Sequence, residues 1–187
     1  MSILVDDIDN TIASRIRGER DARDWTLSEL AERAGVSKAM ISKIERGETS
    51  PTAALLGRLS AAFGITLSAF FADTAPHRGP MSRAEQSVWR DPATGYIRRQ
   101  VAASPTIPIE MIEVELPPGA AVSFPAASYS FMSQIVWVLA GHLTFVEGAT
   151  THDLGPGDSL ELGSPADCTF RNDGADACRY LVVVLRR

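Results

Sequence analysis

The chain is poor in the residues that would commit it to several kinds of chemistry. Its 187 residues include two cysteines, Cys168 and Cys178, too few for a disulfide scaffold. Its three histidines are His77, His142 and His152. They fall in a proline-rich connection, after a turn glycine and in a hairpin, with no metal-ligand spacing among them. No apolar run is long enough to span a membrane. The start, Met1-Ser-Ile-Leu-Val-Asp-Asp7, is acidic and lacks the pattern of a signal peptide. A cytoplasmic protein with reduced thiols is the expectation. Positive charge is short as well. The net charge is −5, which excludes attraction of a polyanion by the molecule as a whole. Only two of the 18 basic residues are lysines, Lys38 and Lys43.

Those two lysines lie in the most ordered local pattern of the chain. Thr26 and Glu29 have the spacing of a capping box, in which each satisfies the other's backbone at a helix start. Leu27, Leu30, Ala31 and Ala34 then form one apolar stripe at helical spacing. Gly35 suits the left-handed position that ends a helix. Ser37 can cap a second helix, in which Ile41 and Ile44 point inward. Lys38, Ala39, Met40, Ser42 and Lys43 cover its first turns and outer face. Arg46 and Gly47 end it. Two short helices around a tight turn, the second facing outward with cations and small groups, are built to meet double-stranded DNA. The flanks agree: a helix over about Asp9 to Ala22 precedes them. A helix over Thr52 to Phe63 follows, with a last short helix over Thr66 to Phe71. Five helices in about 65 residues make a small domain.

Residues 9–72 resemble the lambda-repressor/Cro-like helix-turn-helix domain of XRE-family transcriptional regulators. The resemblance is carried by Leu30-Ala31, Gly35-Val36-Ser37, Ile41-Ser42, Ile44-Glu45-Arg46-Gly47, Pro51, Leu55, Leu59, Ala62 and Phe63-Gly64. It implies an ion pair between Arg20 and Glu45 that braces the domain without reading bases. Residues 1–74 hold nine Lys/Arg against eleven Asp/Glu, a net of −2. Binding must therefore rest on local charge, helix N-termini and pairing of subunits, and the phosphate contribution should keep it salt-sensitive.

The chain changes character after Phe71. Residues 73–81 read as a linker, with Pro76, Gly79 and Pro80. From Ser82 the helical period gives way to short β-rich runs: Tyr96–Ala102, Ile109–Leu116, Val122–Phe124, Gln134–Ala140, His142–Val146, Ser159–Leu162, Cys168–Asn172 and Tyr180–Leu185. Pro117-Pro-Gly119, Gly141, Gly155-Pro-Gly-Asp158 and Asn172-Asp-Gly174 punctuate them. Such spacing marks a β-sandwich or barrel. Within an expected second domain over 82–187, residues 107–185 resemble a cupin, the double-stranded jelly-roll barrel, on Pro118-Gly119, Gln134 to Gly141, Leu154-Gly-Pro-Gly-Asp158 and Asn172. The fold expected is thus multidomain: an all-α five-helix DNA-binding domain followed by an all-β cupin barrel.

The departures from the cupin pattern bear on chemistry. Metal-binding cupins carry His-x-His, then a Glu seven residues before a strand-ending glycine, then a His four residues before an Asn. Here the first region is Pro125 to Ser130 without histidine, the Glu position is Gln134, and the last is Cys168. One amide and one thiol do not replace four imidazole or carboxylate ligands. No metal, cofactor or catalytic residue is expected. Cys168 has two readings, a small buried hydrophobe or a pocket thiol that touches an effector or senses oxidation. Alternation along strands sends Gln134, Val136 and Val138 inward and Trp137 outward. Tyr129, Gln134, Val136, Cys168 and Phe170 then converge on a pocket for a small-molecule effector.

The function expected is that of a homodimeric, sequence-specific transcriptional regulator, since the cupin resemblance implies dimerisation and effector sensing by the barrel. Lys38, Ala39, Met40, Ser42 and Lys43 are the groove-facing candidates, and Thr26 and Ser37 the phosphate contacts. A cupin enzyme carrying a DNA-binding domain and an antitoxin-like module that depends on a protein partner are the alternatives.

Overall fold

A computed structural model describes residues 3–71, 79–103 and 106–187, residues 3–7 by backbone alone. The expected linker lies largely outside the described residues. The helical part consists of α1 (Ile3–Asp21), α2 (Leu27–Ala34), α3 (Lys38–Glu45) and α4 (Ala53–Phe63). The fifth helix expected from the sequence is instead a single 3-10 turn, Leu67–Phe70. Four residues are too few for an α-helical ladder. The Thr66 hydroxyl, which could cap one, donates to Glu110 on the barrel. Helix α1 also starts earlier than the pattern from Asp9 indicates.

The local chemistry of the α2–α3 unit follows the sequence closely. Thr26 and Glu29 make both bonds of the capping box. Gly35 closes α2 at φ 61°, the left-handed conformation a side chain would resist. The Ser37 hydroxyl accepts from the Met40 N–H at 3.2 Å. Ile12, Ile16, Leu30, Ile41, Ile44, Leu56 and Leu59 are buried together beneath these helices.

The β part forms two sheets. The larger has six strands in the order β1 (Val88–Arg90), β2 (Ile97–Ala103), β3 (Ile109–Leu116), β10 (Cys178–Arg186), β5 (Met132–Ala140) and β8 (Ser159–Glu161). The smaller has the order β4 (Ala121–Phe124), β9 (Cys168–Arg171), β6 (Leu143–Glu147) and β7 (Thr150–Leu154). Strands β1 and β7 were not evident in the sequence, because neither carries an apolar alternation. Gly141 turns β5 into β6 at φ 77°, and a Cβ there would lie 2.7 Å from the Ala177 carbonyl oxygen. Asn172 is fully buried. Its amide donates to the carbonyls of Leu116 and Asp176, both at 2.9 Å, tying the ends of β3, β9 and β10 together.

The helical and β parts share one core. Helix α4 lies on the barrel, where Gly57 lets it approach Phe124. A Cβ on Gly57 would come within 2.5 Å of that ring. Ser128, in a 3-10 turn over Ala126–Tyr129, donates to the Gly57 carbonyl at 3.0 Å. The Asp91 carboxylate, just beyond β1, accepts from the Ala53 N–H at 3.2 Å. The barrel thus caps the start of α4. Phe71 packs on Trp89 with ring centroids 5.5 Å apart.

Candidate functional site

The first candidate surface is the outer face of α3. Lys38, Ala39, Met40 and Lys43 are exposed and Ser42 is half-buried, while Ile41 and Ile44 anchor the helix below. Both lysines therefore stand on the solvent side of a helix fixed from beneath. Glu45 is buried at the end of α3, where Arg20 clamps it with two bonds of 2.8 and 3.0 Å. This is the brace the sequence resemblance implies. Arg17 adds a bond to the Glu45 carbonyl at 2.8 Å. Arg46 points back to Ser42 and to Glu48, the latter at 2.6 and 2.8 Å.

The two proposed phosphate contacts differ. The Thr26 hydroxyl donates to Glu29 at 2.8 Å, so a carboxylate already occupies the start of α2. That bond helps hold the Glu29 carboxyl below its ordinary range, after the larger effect of the Thr26 backbone N–H. At the start of α3 only the Ser37 hydroxyl stands over the first N–H groups, and the first turn carries no acid. An anion meets less opposition there.

The second candidate is a cavity between the barrel interior and the helical part. Gln134 on β5 and Phe170 on β9 line it, together with Tyr129 from the 3-10 turn over Ala126–Tyr129. Val136 and Cys168 do not, which corrects the pocket expected from sequence. Val136 points inward but is wholly buried, paired between Leu160 and Val182 as part of the core. The Cys168 thiol donates to the Ala166 carbonyl at 3.3 Å and bonds the Tyr129 hydroxyl. Burial pushes its pKa up to about 11, so it is a thiol at neutral pH and not a reactive thiolate. The reading of Cys168 as a small buried residue is the one this environment favours.

What the sequence reading missed is the wall opposite. Gly57 and Ser60 of α4, then Thr66, Leu67 and Ser68, face the cavity from the helical part. From the barrel, Arg98 and Glu110 face it as well. A signal for these two exists in the sequence. Each is a charge in an alternating inward series, Tyr96-Arg98-Gln100 running into β2 and Glu110-Ile112-Val114-Leu116 on β3.

The positions at which metal-binding cupins hold their ligands do not fit a metal here. Gln134 donates to the Met132 sulfur at 3.1 Å, and Cys168 is engaged as described. Among the described residues, no three His, Cys, Asp or Glu side chains come together as a metal would need.

Comparison with known proteins agrees with both halves of this geometry. Residues 16–70 match the helix-turn-helix family HTH_3 and residues 112–184 the cupin domain family Cupin_2. The HTH-type transcriptional regulator SinR of Bacillus licheniformis is 32% identical over 93 residues, covering 48% of this chain and 84% of SinR. The chain belongs to the HTH-type transcriptional regulators. The HTH-type transcriptional regulator SutR of Escherichia coli K12 aligns with nearly the whole of this regulator. It is 26% identical over 171 residues, 90% of this chain and 91% of SutR. An HTH_3 family transcriptional regulator from Vibrio cholerae has the same fold end to end. Its TM-score is 0.80 at 22% identity, with 97% of this regulator and 98% of that chain covered. Among the described residues, no helix is long and apolar enough to cross a membrane.

Proposed function

We propose that this DNA-binding transcriptional regulator works as a homodimer whose barrel cavity holds a small-molecule effector that modulates operator binding. Residues 9–72 are the reading domain, and residues 82–187 are the sensing and pairing domain. The observation that carries the proposal is the cavity wall. Side chains of the DNA-binding part and of the barrel line the same space, so a ligand there touches both. A ligand that fits one mutual arrangement better than another shifts the molecule toward that arrangement.

Pairing is supported by the outer face of the six-stranded sheet. Ile135 and Trp137 on β5 and Leu185 on β10 are each at least 44% exposed, with half-buried Leu181 and Val183 between them. A contiguous apolar sheet face of this kind suits a second copy of the chain. An acidic protein with two exposed lysines on its reading helix also needs a second reader to hold its site. Lys38, Ala39, Met40, Ser42 and Lys43 would meet base edges, and Ser37 and Thr26 the backbone. The residues of the barrel support a sensor in place of a catalyst.

Light scattering of the purified chain, before and after Trp137→Glu, tests the pairing. The expected result is a dimer that becomes a folded monomer with much weaker binding to a duplex selected by the wild type. A wild-type monomer that binds the same duplex with full affinity would overturn it.

A further inference from the structure

Most of the cavity is aromatic or aliphatic, yet two ionisable side chains of opposite sign face into it from neighbouring strands. Arg98 on β2 is 7% exposed and Glu110 on β3 is 3% exposed. Neither completes its hydrogen bonding. Arg98 Nη2 donates to Ser68 Oγ at 2.5 Å, its guanidinium lies 5.6 Å from the Phe71 ring, and it contacts the Tyr96 hydroxyl. Its Nε has no hydrogen-bond acceptor. No carboxylate among the described residues lies within ion-pair distance of Arg98. Glu110 Oε1 accepts from Thr66 Oγ1 at 2.9 Å and lies 3.6 Å from Arg186 Nε. Its Oε2 has no donor. The two charges do not pair with each other.

A buried ion that lacks partners is costly, and the cost is removed when a group of opposite charge arrives with fitting geometry. Here one wall offers an unused cationic donor, Arg98 Nε, and an unused anionic acceptor, Glu110 Oε2, within a cavity whose other lining is apolar or polar without charge. The remaining space, about 60 Å³ for the centre of a water-sized sphere, holds on the order of five waters. That suits a small molecule only.

We propose that the cavity binds a small zwitterion of the amino-acid type, with its carboxylate on Arg98, its ammonium on Glu110 and its apolar part against Phe170 and Tyr180. This rests on the effector reading above and names the effector's chemistry. It also gives the signal a route. Besides Tyr96 and Arg186, the groups that now serve Arg98 and Glu110 are the hydroxyls of Ser68, in the 3-10 turn of the DNA-binding part, and Thr66, just before it. A zwitterion that binds both ions joins or replaces those hydroxyls. The seat of α4 and of the 3-10 turn on the barrel then differs between the empty and filled states.

The test uses the full chain, calorimetry and thermal unfolding, and the twenty common amino acids in L and D form. Each amino acid that binds is compared with its deaminated acid and its decarboxylated amine. The expected result is at least one amino acid that binds and raises the melting temperature, with both truncated analogues at least tenfold weaker. Arg98→Gln and Glu110→Gln should each lose at least tenfold in affinity, and Arg98→Lys should fall between. Circular dichroism and binding to a selected duplex, measured on the same samples, show whether each variant folds and reads DNA. The proposal is overturned if no amino acid binds, if either truncated analogue binds as tightly as its parent, or if folded Arg98→Gln binds like wild type. Wild-type protein that binds amino acids but no duplex would sink the DNA-reading account and leave this one standing.

Discussion

Lys38 and Lys43 are the chain's only lysines, and both stand exposed on the helix whose inner face is Ile41 and Ile44. A lysine in a major groove donates to guanine acceptors. Lys43→Ala should therefore weaken binding to a selected operator by about 1–3 kcal/mol and relax the preference for at least one G in each half-site. Anisotropy titrations against operator and scrambled duplexes check this; an unchanged ratio between them would reduce Lys43 to a phosphate contact or a bystander. The brace beneath the helix is a different kind of residue. Removing Glu45 takes two charge-assisted bonds from Arg20, which keeps Asp21 at 2.7 Å and the Trp25 carbonyl at 2.9 Å. Glu45→Ala should cost about 1.5–3 kcal/mol of stability, read by denaturant unfolding, whereas loss of DNA affinity without loss of stability would give Glu45 a reading role. At Cys168, burial holds the thiol protonated, with about one thiolate in ten thousand at pH 7. Iodoacetamide should label the native protein far more slowly than the unfolded one. Rapid native labelling would restore the redox reading. The capping residues, the turn glycine and the Arg20–Glu45 brace were legible in the sequence because each acts within a few residues or through a strong motif. Arg98 and Glu110 were not singled out, since their meaning depends on what they fail to meet across the cavity.

At the scale of elements, α4 is the part that joins the two halves. Gly57 sits in its middle, where alanine would normally favour a helix by about 1 kcal/mol. The Phe124 ring, 2.5 Å from where a Cβ would stand, reverses that preference. Gly57→Ala should destabilise the full chain by about 1–3 kcal/mol through overpacking, and Phe124→Leu in the same chain should recover part of the loss. A double-mutant cycle that shows no coupling would mean α4 does not bear on the barrel as described. The sequence placed α4 and most strands to within a few residues, because their apolar periods are strong. It did not place β1 or β7, which pair through backbone with little apolar pattern. It made the 3-10 turn a last short helix, because nothing local to Thr66 tells that its hydroxyl goes to Glu110 on the barrel. The docking of α4 on the barrel left its trace only in a glycine at mid-helix.

At the scale of the molecule, acidity and DNA reading have to be reconciled. The reading surface holds few cations, and the whole carries −5, so long-range attraction contributes little. The proposed dimer reconciles them with two readers joined through the outer face around Trp137, each set in position by its own barrel and the cavity between reader and barrel. Binding should still weaken with salt, in proportion to the phosphates each dimer neutralises. Selection of bound duplexes from a random-sequence pool by the full-length protein tests this most directly. The expected result is enrichment of two inverted half-sites, their centres one helical turn of about 10 base pairs or a multiple of it apart. A pool with no enriched sequence, or with one unpaired half-site bound as tightly as any pair, would contradict it.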